Sequence, residues 1–577
     1  MRRIYILLVS MLMVSAMYGN EIVVDGIKYD AVSDFVMVSG LENPSFSGSL
    51  VIPESVTYNQ KTYSVKEIKY SAFEGCVGLT SVTLPNTLLF IDYYAFKDCT
   101  GLSSFNIPAS VTSIQADAFV NTAWYNSQPD GLVYKDNVLL ARKGFVPNEA
   151  LEIANGTRLI AASVFQYCFD LPSVTLPSTL EYICQSAFFQ SGITSINIPA
   201  SVKKIEDETF HWCYQLETVT VESGNSVYDS RNNCNGIIET GENQLAFGCK
   251  NTIIPNSVTS IKGFAFRGHY GMRSVTIPNS ITAIGDGAFC EAYPIHIFSQ
   301  IEEPFKIDGE ASGPYSATFD FDERTTLFIP AGTKAKYEAT EGWKDFSNIV
   351  DGNDWFAANT KEGVEMVFVK QDESPKTCEA AFVHESTSGV LTIPEEINGY
   401  TVTSIMHHSF SYRYNLSSVV IPNSVVTIGN DAFYYCNGLQ SVSLGSSVEV
   451  IGSYAFSSCS NLGSITLPGS VKSIGKYAFS SCTNLTKVVS NISEPFAINN
   501  NVFGKWNAET KTYDDKNSAT LYVPVGTKAL YEATEGWNVF QDIVEMVSLE
   551  PIEGETTVTT EGLGNENLTD NVVDDVY

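Results

Sequence analysis

From Asn437 to Cys482 the apolar positions fall in one order twice over. NGLQSVSLGSSVEVIGSYAFSSC is followed directly by SNLGSITLPGSVKSIGKYAFSSC, so one 23-residue pattern lies end to end with its copy. In the second copy Ile465 and Leu467 alternate with Ser464 and Thr466, which places the apolar pair on one face of a short strand and the polar pair on the other. Pro468-Gly469 ends that strand. Val471 and Ile474 form a second short apolar segment, Gly475 is read as allowing the next bend, and Ala478-Phe479 is read as a helical turn driving the ring inward. A fixed period of this length predicts a solenoid, with one coil per copy. A single coil cannot bury its apolar face alone, but stacked coils make a continuous core. Each buried Phe then contributes roughly 1.5–3 kcal/mol of transfer free energy.

The Phe of Ala-Phe is a ruler for the whole chain. A first array carries Phe73, Phe96, Phe119, Phe165, Phe188, Phe210, Phe266 and Phe289, and a second Phe410, Phe433, Phe456 and Phe479, mostly 23 apart. Two steps are longer. Between Phe119 and Phe165 the motif is lost, but Leu132, Tyr134, Val138 and Leu140 alternate around Lys135-Asp136-Asn137, which predicts a β-hairpin over 124–143. Between Phe210 and Phe266, residues 221–252 predict a second hairpin-bearing coil turning near Thr240–Asn243. Each array closes on a near-identical segment, LFIPAGTKAKYEATEGW and LYVPVGTKALYEATEGW, which suits a cap over an open core and exposed strand edge. Strand-like segments at Gly26–Val32 and Val364–Lys370 precede the arrays. The predicted organisation is a β-rich solenoid in two tandem capped arrays. The first covers 20–350 with an N-terminal β cap, two hairpin-bearing coils and a C-terminal cap; the second covers 361–547, after a linker at 351–360.

Composition adjusts this picture at the ends. Met1 to about Gly19 reads as a secretory signal: Arg2-Arg3, an apolar run from Ile4 to Met13, and small residues at Val14-Ser-Ala16 or Met17-Tyr-Gly19. That run is short for a membrane span. Residues 548–577 contain no Lys or Arg and many acids, the composition of a disordered tail, with no evident anchoring or sorting segment. With 34 basic against 65 acidic residues the net charge is −31, which argues against nucleic acid and anionic membranes as partners. The predicted product is an exported monomer without membrane insertion.

Candidate chemistry is sparse. Seven of the 12 cysteines (Cys76, Cys99, Cys168, Cys213, Cys436, Cys459 and Cys482) share the position three after the Phe. Coils stacking at ~4.8 Å would leave these side chains parallel, as a ladder of buried free thiols. Cys234 and Cys249 bracket the second hairpin and are the best disulfide candidates. His407-His408 lacks the spacing of a metal site, and His211 beside Cys213 suggests a thiol nucleophile only if that ladder position were not core. Asp320-Phe-Asp322-Glu323 reads as a solvated loop sooner than a calcium site. No catalytic residue, metal or cofactor is assigned.

What recurs is a surface. Ser81, Ser104, Ser173, Ser195, Ser274, Ser418, Ser441 and Ser464 precede the first inward strand residue; Thr83, Asn106, Thr175, Asn197, Thr220, Thr276, Ser443 and Thr466 follow it. Both stripes face outward. They either hydrogen-bond among themselves or form an uncharged platform for an extended peptide or glycan. The hairpins interrupt this platform, and their Trp124, Tyr125, Tyr134, Tyr228 and Arg231 are the side chains best suited to anchoring a partner.

The motif L-x-x-V-x-L-P-x-S-V-x-x-I-G-x-x-A-F-x-x-C, carried by Leu462, Ile465, Leu467-Pro468, Ser470-Val471, Ile474-Gly475, Ala478-Phe479 and Cys482, resembles the BspA-type leucine-rich repeat of exported proteins in Bacteroidetes and some protozoa. The likeness covers nearly all of 48–500. Ser191 and Thr122 replace the ladder Cys in two coils, and Gly445 replaces Pro. The resemblance implies a right-handed leucine-rich-repeat solenoid at or beyond the surface of a Gram-negative bacterium. It also implies adhesin-like, non-catalytic binding of extracellular protein of host matrix or plasma type. A glycan-capturing accessory protein and a purely structural surface component are the alternative readings.

Overall fold

The computed structural model describes residues 21–144, 149–270, 272–309, 317–321, 324–383, 387–507, 512–513 and 517–546. The signal segment and the acidic tail lie outside the described residues, as do Asp322, Glu323 and His384. The chain divides between Ala357 and Ala358 into two compact units. The residues read as a linker contain a strand, Trp355–Asn359.

Both units are built alike. In the first, Glu21–Val24, Ile27–Val32 and Phe35–Leu41 form an antiparallel meander, and the last of these starts a parallel ladder through Lys61–Ile68, Phe90–Ile91 and Ser113–Ile114. In the second, Glu365–Glu373 and Lys376–Val383 pair antiparallel before the ladder runs through Tyr400–Ile405, Thr427–Ile428, Val450–Ile451 and Ser473–Ile474. Ile405, Ile428, Ile451 and Ile474 are thereby in register, all buried. A second parallel ladder, formed by strands such as Ser195–Ile198 and Thr218–Val221, lies on the other side of the coil. Its burial alternates outward and inward as the sequence pattern requires.

The Phe ladder is the core. Phe410, Phe433, Phe456 and Phe479 stack with ring centroids 5.2, 5.1 and 5.4 Å apart. Phe319 and Phe503 extend the two stacks, 4.6 Å from Phe289 and 5.3 Å from Phe479. Both stand off the 23-residue step, so the ruler passes over them.

The Ala-Phe segment is not the helical turn expected. It is a pair of tight turns with left-handed residues on either side, Tyr477 at φ 62° and Ser481 at φ 57° in the last regular coil. A helix would spend its N–H groups within the segment. These turns aim them at the next coil instead: Phe433 N–H donates to Ala455 O at 2.7 Å, Phe456 N–H to Ala478 O at 2.8 Å and Ser458 N–H to Ser480 O at 2.8 Å. The turn is a third ladder, and it satisfies backbone groups that burial would otherwise orphan. Gly475 also differs from its expected role as a bend. A Cβ there would stand 2.3 Å from Ser453 N, and at Gly452 2.5 Å from Asn430 N, so these glycines allow close approach of successive coils.

Both hairpins form. Gly131–Lys135 pairs with Val138–Lys143, which then runs parallel to Leu159–Ile160. Gly236–Glu239 pairs with Gln244–Gly248, with its turn over 240–243, and leads to Ser260–Ile261. In this long coil Ala246-Phe247 lies on the strand Gln244–Gly248 and not on a turn, and Phe247, 5.2 Å from Phe210, supplies the ring of the absent turn. The C-terminal caps match: short helices Lys334–Ala339 and Lys528–Ala533 bury Tyr337 and Tyr531, followed by buried Trp343 and Trp537.

Candidate ligand-binding surface

The strand stripes face outward, and part of them bond to one another. Ser81 Oγ donates to Ser49 at 2.7 Å, Thr220 Oγ1 to Asn197 Oδ1 at 2.8 Å, and Ser441 and Ser418 hydroxyls meet at 2.9 Å. Asn106 holds both backbone groups of Leu84, at 2.9 and 3.1 Å. Asn197 also reaches Glu222 at 3.1 Å. Thr83, Ser104, Ser195, Ser443, Ser464 and Thr466 stand exposed on the same face.

The hairpin residues expected to anchor a partner are mostly engaged by the protein itself. Tyr228 is buried, and its hydroxyl accepts from Ile205 N at 3.0 Å. Arg231 grips Asp229 through Nε and Nη2, the latter at 2.6 Å, and gives Nη1 to Asn243 at 2.8 Å. Trp124 sits on a short helix, Ala123–Ser127, with its ring edge-on to Phe105 at 5.1 Å and only partly accessible. The hydroxyl of Tyr134 accepts from Ala154 N at 3.1 Å, and Lys143 lies over Tyr125, 5.5 Å from the ring centroid. The reason is common to all: an irregular coil lacks the ladder contacts of a regular one, and its large side chains replace them. These residues brace the hairpins.

The sulfur and imidazole groups are likewise structural. All 12 cysteines are free thiols. The ladder position donates its S–H to the Phe carbonyl of the preceding coil, as from Cys99 to Phe73 O at 2.9 Å and from Cys436 to Phe410 O at 3.1 Å. Cys234 and Cys249 do not bridge; each thiol is turned to a backbone carbonyl, Gly236 O and Glu217 O, at 3.5 and 3.4 Å. Burial raises the Cys213 thiol to about 11 and lowers His211 to about 4, the opposite of a thiolate–imidazolium pair. His407 Nδ1 accepts from Asn430 N at 2.8 Å, and His408 lies 3.8 Å from Asp431.

The feature missed from sequence is an aromatic edge on the turn side of the first unit. Two positions of the repeat, two and four after the core Phe, emerge beside the turn. Tyr167 and Phe169 occupy them in one coil, Trp212 and Tyr214 in another, and Tyr270 and Tyr293 take the second position in the next two. Phe189 links the first pair to the rest. The rings run continuously: Tyr167 to Phe189 at 6.0 Å, Phe189 to Trp212 at 6.5 Å, Trp212 to Tyr270 at 5.8 Å, and Tyr270 to Tyr293 at 5.6 Å. Tyr167 and Phe169 are 54% and 56% exposed, Tyr214 and Tyr270 38% and 37%. The long coil adds no turn of its own, so the turn ladder closes directly from Trp212 N to Arg267 O at 3.3 Å. The indole then covers Gly268, where a Cβ would meet it at 2.8 Å. That closure brings rings 56 residues apart by the repeat ruler into one cluster.

The fold does not demand aromatics there. The position two after Phe is left-handed throughout, at φ 71° in Gly75, 58° in Asp98, 59° in Asn121 and 62° in Ser458. Tyr167 at φ 59° and Trp212 at φ 64° hold the same conformation, which costs a bulky residue about 1 kcal/mol. A smaller second cluster occupies the same edge of the second unit, where Tyr412, Tyr434 and Tyr435 meet within 5.5 Å of one another.

Beside the first cluster Glu291 is half-buried, 3.8 Å from Arg267 Nε. Its carboxyl is raised by burial, and its charge, second to burial, raises Tyr214 and lifts Tyr270 to about 12.

Comparison with known proteins concerns the repeat. The sequence matches the BspA type leucine rich repeat region over 38–128, 146–239, 244–310 and 399–520, more than half of the chain. Among solved structures, it is similar to a leucine rich cell surface protein from Faecalibacterium prausnitzii, with 19% identity, 92% of this chain and 95% of that chain covered, and a TM-score of 0.29. A leucine-rich repeat protein from Bacteroides ovatus has 20% identity, coverage of 87% and 99%, and a TM-score of 0.27. The pneumococcal vaccine antigen PcpA has 15% identity, coverage of 92% and 99%, and a TM-score of 0.25. No curated protein sequence matches. The chain belongs to the BspA-type leucine-rich repeat family.

Proposed function

We propose that this protein is an exported, non-catalytic binding protein of adhesin type, acting at or beyond a bacterial surface. It holds an extracellular partner along its solenoid. The observation that carries this reading is the aromatic edge of the first unit: Tyr167 and Trp212 hold a left-handed position that several other coils fill with Gly, Asp, Asn or Ser, and Phe169, Tyr214 and Tyr270 stand exposed beside them. Rings on rigid turns lose little freedom on binding, so each adds contact at small entropic cost. A row of weak contacts on one rigid body then combines by effective concentration.

A structural surface component is the second reading. It is favoured by the stripe residues that bond along the ladder, Ser81 to Ser49, Thr220 to Asn197 and Ser441 with Ser418.

The test is binding of the purified mature chain to parallel arrays of matrix and plasma proteins and of polysaccharides at physiological salt. The comparison is a Tyr167→Ser, Tyr214→Ser, Tyr270→Ser variant. Hits that weaken at least about tenfold in the variant support the reading. Hits that persist unchanged move the site away from the aromatic edge, and silence of the wild type on both arrays favours the structural component.

A further inference from the structure

We infer that the cleft beside the second hairpin is a docking site for an extended basic peptide segment, whose backbone takes the place of the turn that this coil omits. The inference goes beyond the proposed function and stands without the aromatic edge. Three observations carry it.

The first is a break in the turn ladder. In a regular coil the core Phe and the residues two before and two after it give their N–H groups to the next turn. Ser186, Phe188 and Gln190 reach Asp207, Thr209 and His211 in this way, at 3.3, 3.0 and 3.0 Å. One coil on, Trp212 N–H still crosses to Arg267 O at 3.3 Å, and the hairpin strand gives Gly248 N–H to Ala265 O at 3.0 Å. The N–H groups of Glu208 and buried Phe210 meet no acceptor among the described residues. Gly263 O, the carbonyl that Glu208 would reach in a regular coil, meets no donor among them. A cavity of about 290 Å³ separates these two walls, floored by Ala246 and Phe247. Unmet backbone groups are costly when buried.

The second is the chemistry that would meet them. Ladder N–H groups on one wall and a ladder carbonyl on the other call for a guest that carries both acceptors and donors in alternation. An extended backbone does, and a backbone segment is what fills this place in each regular coil. His211, 8% exposed, lines the same cavity, and its Nδ1 meets no partner among the described residues. A neutral imidazole nitrogen takes one further backbone group.

The third is charge. Glu206, Asp207, Glu208 and Glu239 line the cleft. Lys262 lies 3.1 Å from Asp207 and 3.7 Å from Glu239, and Lys204 lies 2.8 Å from Glu206. Glu208 meets only Gln185 and Ser186, at 3.4 and 3.3 Å, and no cation among the described residues. On a chain of net charge −31 this favours lysine or arginine beside the inserted backbone and disfavours acidic peptides.

The experiment combines residue-resolved hydrogen exchange with affinity capture on the full mature chain. In the free protein the Glu208 and Phe210 amides should exchange at least about tenfold faster than those of Ser186 and Phe188, their bonded equivalents one coil back. The probe is a library of capped hexapeptides with lysine at alternate positions. The counter-probes are the same library with glutamate for lysine, and spermine, a cation without carbonyls. Retained lysine peptides are expected to slow exchange at Glu208 and Phe210 at least about tenfold. Ala246→Trp, which fills the cleft, should abolish capture. Glu208→Gln, which keeps the size, should weaken it at least about threefold with melting unaltered, and it decides the matter if Ala246→Trp does not fold. Capture of no lysine peptide overturns the inference. So does equal capture of the glutamate library, or equal protection of the two amides by spermine. Capture that leaves both amides unprotected, or ignores both substitutions, overturns the site. Substitutions at Tyr167, Tyr214 and Tyr270 test the proposed function separately, so failure of either leaves the other standing.

Discussion

At the scale of the residue, buried polar atoms explain what hydrophobicity alone does not. The position three after Phe takes Cys in seven coils, Ser191 in one and Thr122 in another. All three residue types are small and carry a donor. Thr122 Oγ1 reaches Phe119 O at 3.0 Å, as the thiols reach the Phe carbonyl one coil back. Ala also packs there, as buried Ala292 does, because the Phe carbonyl already accepts a backbone N–H, as from Cys76 to Phe73 O at 3.1 Å; the small donors add a second bond to it. His269 is the counter-example: it is buried against Phe247, and neither ring nitrogen meets a partner among the described residues. Burial, reinforced by nearby His211, pulls its pKa from 6.5 to about 3. It is neutral when folded and takes up a proton on unfolding once the pH drops below its ordinary value. Stability present above about pH 6.5 is therefore lost as pH falls toward the folded value. Glu67, raised to about 7 by burial, acts in the opposite sense over part of this range, so the raw pH curve mixes the two. The decisive comparison is His269→Phe: its melting temperature should fall less steeply from pH 6.5 to 4 than that of wild type. Parallel curves would sink the assignment.

At the scale of the element, each cap ends its solenoid with a matched set of bonds. Tyr337 and Tyr531 hydroxyls donate to Ile301 O and Ile492 O at 2.8 and 2.7 Å. The indoles of Trp343 and Trp537 donate to Phe305 O and Phe496 O at 2.8 and 2.9 Å. Trp537→Phe keeps most of the apolar bulk but leaves a largely buried carbonyl without its donor. It should cost ~1–3 kcal/mol, read as a lower denaturation midpoint of the second unit with the first unchanged. An equal loss in both units would mean that the cap does not act locally. Both caps were legible as a repeated segment. The Ala-Phe turn was misread as helical because its left-handed residues in most coils are Tyr, Ser, Asp or Asn, and only a few coils carry a glycine there, as at Gly75 and Gly268.

At the scale of the whole molecule, a solenoid's coils contact only their neighbours, so damage should spread by distance along the stack. Phe456 is wholly buried between Phe433 and Phe479. Phe456→Ala should cost ~3–5 kcal/mol, and hydrogen exchange should quicken first in the flanking coils, then across 358–546, while residues 21–357 keep their protection. Uniform loss of protection throughout the chain would show that the two units unfold as one.

The sequence by itself determined the coil, its period, the inward Phe, Ile and Cys, the outward Ser, Thr and Asn, both hairpins and both caps. Each is a local pattern repeated at fixed spacing, and repetition makes a pattern readable. Tertiary structure alone decided which outward residues are spare. The hairpin residues Trp124, Tyr228 and Arg231 look available in sequence, but packing around the irregular coils engages them. Trp212 and Tyr270 look unrelated in sequence, but the turn ladder closes over the long coil and sets their rings 5.8 Å apart. Such proximity depends on which backbone N–H finds which carbonyl across the omitted coil, a pairing that no local spacing encodes.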